Sequence, residues 1–148
     1  MAQPRLLGIC GSLRARSLNR RLMLEGVNQF GECRFEEANL RLPLYDGDLE
    51  ERAGPPSAAQ RLHAQIGAAD AVLIASPEYN KSFSGVLKNA LDWVSRIKGN
   101  PWLDKPVAIV SAAAGREGGT RGQFALRLAL TPFRPRLLTG PEVAVADA

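Results

Sequence analysis

The sequence predicts an α/β domain built around a parallel sheet, and three observations carry that prediction. Short apolar runs with little polar alternation recur at 5–10 (RLLGIC), 70–75 (DAVLIA) and 106–111 (PVAIVS). Buried parallel strands read this way because helices cover both of their faces. Stretches with apolar residues at helical spacing lie between them. The connections are short enough for right-handed crossovers, so strand and helix alternate along one chain.

The elements follow in order. The run at 5–10 ends in the turn signal Gly11-Ser12 and reads as a first strand. Ser17 then precedes Leu18, Leu22, Met23 and Val27, which form one helical stripe. A serine suits the N-cap because its oxygen accepts a free first-turn N–H. Gly31 ends that helix. Residues 33–40 (CRFEEANL) form a weaker second strand near a sheet edge, and 42–48 reads as a loop. The breaker Gly54-Pro55-Pro56 comes before Ser57, which is expected to cap a helix running through Leu62 and Ile66 to about Ala69. The strand at 70–75 follows. A helix over 84–97 places Leu87, Ala90, Leu91, Val94 and Ile97 on one side. The strand at 106–111 leads into a small, glycine-rich loop over 112–119. A helix over 120–130 is expected to turn Phe124 and Leu128 inward, and 136–145, broken at Gly140-Pro141, reads as the last strand. This makes five strands in a doubly wound arrangement. The helix that would normally cover one face after the fifth strand does not appear in the sequence.

Composition narrows the class. With 148 residues, the chain is one domain of ordinary size, long enough to bury roughly 70% of its unfolded surface. Apolar residues make up 45% and charged residues 23%, which excludes a disordered or collagen-like chain. Nineteen basic against fifteen acidic residues give a net charge of +4. That excess permits an anionic partner without requiring nucleic acid or a membrane surface. No apolar run approaches the ~18 residues of a membrane span, and the first residues carry no signal-type apolar stretch. Cys10 and Cys33 are too few for a disulfide framework or a cysteine-rich metal site. The lone His63 has no second ligand-type residue beside it, and Cys10 in a buried strand reads as a small apolar residue. A reduced, cytoplasmic, soluble protein is expected, with no metal site.

In sheets of this kind ligands bind outside the carboxyl ends of the strands, so three loops hold the chemistry. After the first strand comes GSLRARSLNRR at 11–21, with four arginines and no acid, leading into a helix N-terminus. Free N–H groups and the helix dipole make such an end an anion site. Ser12, Ser17 and Asn19 can donate to phosphate oxygens, and Arg14 can pair with them bidentately. The spacing is neither that of a P-loop nor that of a dinucleotide fingerprint. The alternative is that Ser17 merely caps a helix and the arginines form a solvated face. Arg16, Arg20 and Arg21 read as surface charges. After the third strand, SPEYNKSFSG at 76–85 offers an acid, two aromatics and an amide. Tyr79 and Phe83 either line a planar heterocycle or pack on their neighbours. After the fourth strand, SAAAGREGGTRG at 111–122 either admits a flat ligand close to the backbone or is a flexible connection.

These loops together resemble the NAD(P)H-dependent FMN reductase family of flavodoxin-like proteins, which includes chromate, quinone and azo-dye reductases. The matching stretches are GSLRARSLNRRL at 11–22, LPLYDGDLE at 42–50, SPEYNKSFSGVLKNALDW at 76–93 and KPVAIVSAAAGREGGTRGQ at 105–123. The second of the loop motifs, PEYN followed by LKNALDW, is the most specific. The resemblance implies one flavodoxin-like domain over 1–148, strand order 2-1-3-4-5, and FMN at the carboxyl edge with NADPH or NADH as co-substrate. It implies a phosphate cradle of Ser12, Arg14, Ser17, Leu18 and Asn19. Pro77, Glu78, Tyr79 and Asn80 would lie beside the isoalloxazine ring, with a loop amide near Asn80 at its N5 or O4 edge. Ser111, Gly115, Arg116, Gly118 and Gly119 would face its pyrimidine end. The resemblance also implies a homodimer or homotetramer through the 84–97 helix, with Leu87, Leu91 and Trp93 as candidate contacts.

Two departures from the family pattern stand out. Ser84 replaces the proline that many relatives carry before the loop glycine, and the sequence stops about one helix earlier than they do, which would leave apolar sheet surface near the first helix either exposed or covered by another subunit. The expected activity is transfer of reducing equivalents from NAD(P)H through FMN to a small acceptor: a quinone, an azo compound, chromate or free flavin. An electron-transfer flavodoxin is the alternative, although such carriers are strongly acidic. A receiver-like domain would need acids where Gly11-Ser12 and Ser76-Pro77 stand.

Overall fold

The computed structural model describes residues 2–148. Its strands are β1 (Arg5–Cys10), β2 (Arg34–Glu37), β3 (Ala71–Ala75), β4 (Pro106–Ala112), β5 (Arg136–Leu137) and β6 (Val143–Val145). Its helices are α1 (Leu18–Phe30), α2 (Gly47–Ala53), α3 (Ser57–Ala68), α4 (Gly85–Ser95) and α5 (Thr120–Leu130). The sheet is parallel in the order β2-β1-β3-β4-β5, with β6 also paired to β4. That is the order expected, with one change. The last strand is two short pieces: Val107 lies beside Leu137 and Val110 beside Val143. Gly140 and Pro141 break the run between them, since a proline has no N–H for the ladder.

The two faces of the sheet differ in how well they are covered. On one face Leu7, Ile9, Val72, Ile74, Val107 and Ile109 meet the inward stripes of α3, α4 and α5. On the other, Leu6, Cys10, Leu73, Ala75 and Val110 pack with Met23 of α1. Met23 is fully buried, a contribution of about 1.5–3 kcal/mol. Val143 and Val145 share this second face through their pairing with β4 and remain 45% and 42% exposed.

The structure corrects several other expectations. Residues 47–53 are helical, with Asp46 accepting from the Asp48 N–H as N-cap; only 42–46 of the expected 42–48 loop is one. Helix α3 is capped by Pro56 rather than by Ser57, which is its first residue. Phe124 and Leu128 face outward, 54% and 74% exposed, while Leu126 and Leu130 are fully buried. Leu87, Leu91 and Trp93 lie inside the core of their own chain, so they cannot form a contact between copies. Trp93 donates its indole N–H to the Pro43 carbonyl at 2.7 Å. Tyr45 meets its ring edge-on at 5.0 Å.

Candidate active site

Parallel strands end together, so β1, β3 and β4 deliver their following loops to one edge. The loop after β1 is shaped by serines. Ser12 Oγ accepts from the Arg14 N–H at 3.3 Å, and Ser17 Oγ caps α1 by accepting from the Arg20 N–H at 3.1 Å. The N–H groups of the first helical turn have no intrahelical partner, and that turn carries no acid. Arg20 is held by Glu37 through a bidentate pair at 2.8 Å, and that hydrogen bond, with the charge behind it, raises the guanidinium pKa. Arg14 and Arg16 enter no ion pair among the described residues, and both line the cleft beneath them. Arg16 is exposed, as the sequence reading expected, and at the same time lines the cleft.

That cleft has a volume of about 480 Å³. One wall is Ser12, Arg14, Arg16, Ser17, Leu18 and Asn19; the facing wall is Pro77, Glu78, Tyr79 and Ala112–Ala114. Asn19 is 5% exposed, and its amide bonds Ala112 in both directions, donating to the carbonyl at 3.0 Å and accepting from the N–H at 2.9 Å. Its first duty is to hold the start of α1 against the end of β4. One amide hydrogen remains for a ligand.

The loop after β3 closes on itself. Tyr79 and Ser82 exchange both backbone hydrogen bonds, at 2.9 and 3.1 Å, around Asn80 and Lys81. Those two residues have φ of 53° and 63°, the left-handed pair that a tight two-residue hairpin requires. Tyr79 is 49% exposed at the cleft rim. Asn80, expected beside a ring, lines neither this cleft nor the next.

The loop after β4 forms an adjoining cleft of about 370 Å³ with Glu78, Ala113–Gly119 and Arg121. Gly118 and Gly119 take φ of 58° and 92°, and a Cβ on Gly118 would lie 2.7 Å from the Ala144 backbone. Only glycine fits there. Ser111 is fully buried and does not face the cleft: its hydroxyl donates to the Gly118 carbonyl at 2.6 Å and accepts from Gln123 at 2.7 Å. It supports the loop from below. Gly115, Arg116, Gly118 and Gly119 line the second cleft as a group. Ala112–Ala114 are wall residues; the sequence reading placed them in the small-residue loop open to a flat ligand without naming them individually as site residues.

The two clefts share Glu78, Ala113 and Ala114. Together they pair a cationic, acid-free helix N-terminus with an aromatic rim and a glycine floor. The arrangement can hold an anionic group at one end and a flat group at the other. The Glu78 carboxylate, the one acidic side chain on the first cleft's walls, which also include Ala148, accepts from the Gly122 N–H at 2.9 Å. No helix among the described residues is long and apolar enough to cross a membrane.

Residues 4–148 match the family model described as NADPH-dependent FMN reductase. The chain is 43% identical over 146 residues to an NAD(P)H-dependent FMN reductase of Pseudomonas aeruginosa, covering 97% of this chain and 78% of that protein. It is 43% identical over 101 residues to a quinone reductase of Escherichia coli, covering 68% of this chain and 54% of that protein. Among solved structures, a flavoenzyme NAD(P)H:(acceptor) oxidoreductase from Paracoccus denitrificans superposes with a TM-score of 0.83 at 35% identity. That match covers 95% of this chain and 78% of the other.

Proposed function

The chain belongs to the NADPH-dependent FMN reductase family and is an FMN-dependent oxidoreductase using NAD(P)H, and from that premise we propose how its own residues do the work. The observation that carries the proposal is the cleft that sets unpaired Arg14 and Arg16 and the α1 N-terminus opposite Tyr79 and the alanine floor. The residues present fit FMN. The hydroxyls, free N–H groups and guanidiniums suit its phosphate, and the small residues leave room for a ring close to the backbone.

Ser12, Arg14, Ser17, Leu18 and Asn19 hold the phosphate. Pro77, Glu78 and Tyr79 flank the ring, and Gly115, Arg116, Gly118 and Gly119 bound its far end. When bound, FMN supplies hydride and electron chemistry, while the protein binds it, orients it and tunes its surroundings. No side-chain acid–base pair is required. Arginines at the mouth draw in the anionic reduced nicotinamide cofactor, NADPH or NADH. The acceptor is a quinone, azo compound, chromate or free flavin. The E. coli relative's printed activity supports the first of these.

The single domain over 1–148 works in the cytoplasm as a homodimer or homotetramer through the 84–97 helix. Supporting that contact, Leu44 is 83% and Leu13 is 40% exposed beside Val86 at the start of α4. Steady-state oxidation of NADPH and of NADH by FMN-loaded protein, run against a panel of acceptors, tests the activity. Turnover with at least one acceptor is expected. A protein that binds FMN yet leaves both nicotinamides unoxidised would be an electron carrier instead.

A further inference from the structure

Gln123 is fully buried on the inward face of α5, and its polar atoms are unevenly satisfied. Its Nε2 donates to Ser111 Oγ at 2.7 Å and to the Val143 carbonyl at 2.9 Å. Its Oε1 is buried with no partner among the described residues. A buried acceptor left unpaired costs stability, and an apolar side chain of the same size would pack there without that cost. The benefit lies in what Nε2 holds. Ser111, having accepted from Gln123, is left to donate its own proton to the Gly118 carbonyl at 2.6 Å. Gly118 in turn lies against the β6 backbone, with no space for a Cβ. The glycine loop is therefore wedged between Ser111 of β4 and the strand β6, and one side chain grips both jaws.

We infer that Gln123 is a positioning residue for the cofactor cleft, setting the 113–119 loop through Ser111 and β6. This rests on the FMN reading above. Gln123 lines neither cleft, so its effect on a ligand passes through Ala113, Ala114 and Gly115–Gly119.

The test uses Gln123→Met, Ser111→Ala and the double variant in the whole chain. Four quantities are read: the thermal midpoint, the FMN dissociation constant by flavin fluorescence quenching, the visible band of bound FMN, and amide hydrogen exchange in FMN-free protein. Gln123→Met relieves the unpaired Oε1 but loses two buried hydrogen bonds, so it is expected to melt somewhat below the wild-type temperature, bind FMN at least tenfold more weakly, shift the visible band, and exchange faster at 113–119 with 71–75 unchanged. Ser111→Ala should reproduce the loosened loop and weakened binding, and the double variant should be no weaker than the worse single one. Unchanged affinity, band and exchange would overturn the inference. So would additive losses in the double variant, or a lowered midpoint with exchange raised evenly through the sheet. If Gln123→Met yields no folded protein, Ser111→Ala decides by the same loop exchange and affinity readings. Wild-type protein that fails to bind FMN would refute the functional reading, yet the exchange comparison at 113–119 would still decide the positioning role.

Discussion

Glu78 accepts a hydrogen bond from the Gly122 N–H at 2.9 Å, so the loop that follows β3 caps the helix that follows β4. Helix α5 needs this, because it has no side-chain cap of its own and no acid in its first turn. The carboxylate satisfies an orphan donor and places a negative charge at the positive end of the helix. Two loops of the cleft are thereby held as one unit. Glu78→Ala should lower stability by about 1–2 kcal/mol in urea denaturation. Glu78→Gln, which keeps an acceptor and loses the charge, should lose about half of that. Equal losses for the two variants would show that charge is the whole effect.

Asn19→Ala removes both bonds to Ala112 and leaves a buried N–H and C=O without partners. The expected cost is about 2–4 kcal/mol, measurable by denaturant unfolding. A loss below about 0.5 kcal/mol would mean that the α1 start and the β4 end are not coupled as described.

Lys81 has φ of 63° in the tight turn at the rim. A left-handed conformation costs a residue with a Cβ about 1–2 kcal/mol, whereas glycine adopts it freely but loses more chain entropy on folding. Lys81→Gly should therefore stabilise the protein, by up to about 1 kcal/mol, visible as a raised thermal midpoint. A lowered midpoint would show that the lysine side chain makes a stabilising contact.

Much of this was legible in the sequence because the signals were local. The apolar runs at 5–10, 70–75 and 106–111 had no alternative to burial, and β1, β3 and β4 lie within a residue of those bounds. Ser17 was readable as a cap because its chemistry acts three residues away. Helix α5 was misread because it carries two apolar stripes. Phe124 and Leu128 form one, and Leu126 and Leu130 form the other. The buried side also includes Gly122 and Gln123, whose place is set by Glu78 and Ser111 on distant segments, and periodicity cannot register such bonds. Helix α2 buries no residue, so it has no apolar stripe to detect; Asp46 with Asp48 and Glu50 in the first turn was the available cue. Likewise Ser111 looks like a ligand-facing hydroxyl in sequence, and only the close approach of Gly118 explains its inward role.

The central claim is that the cleft at the start of α1 holds the FMN phosphate, and Arg14 tests it most directly. Its guanidinium lines the cleft and enters no ion pair among the described residues, so Arg14→Ala should leave the thermal midpoint of the FMN-free protein within about 2 °C of the parent. Losing a charge-assisted bond of about 1.5–3 kcal/mol should weaken FMN roughly ten- to a hundredfold. A fluorescence titration of wild type and Arg14→Ala with FMN reads this difference. A rise of that size in the dissociation constant is the predicted result, and an unchanged constant would contradict the assignment.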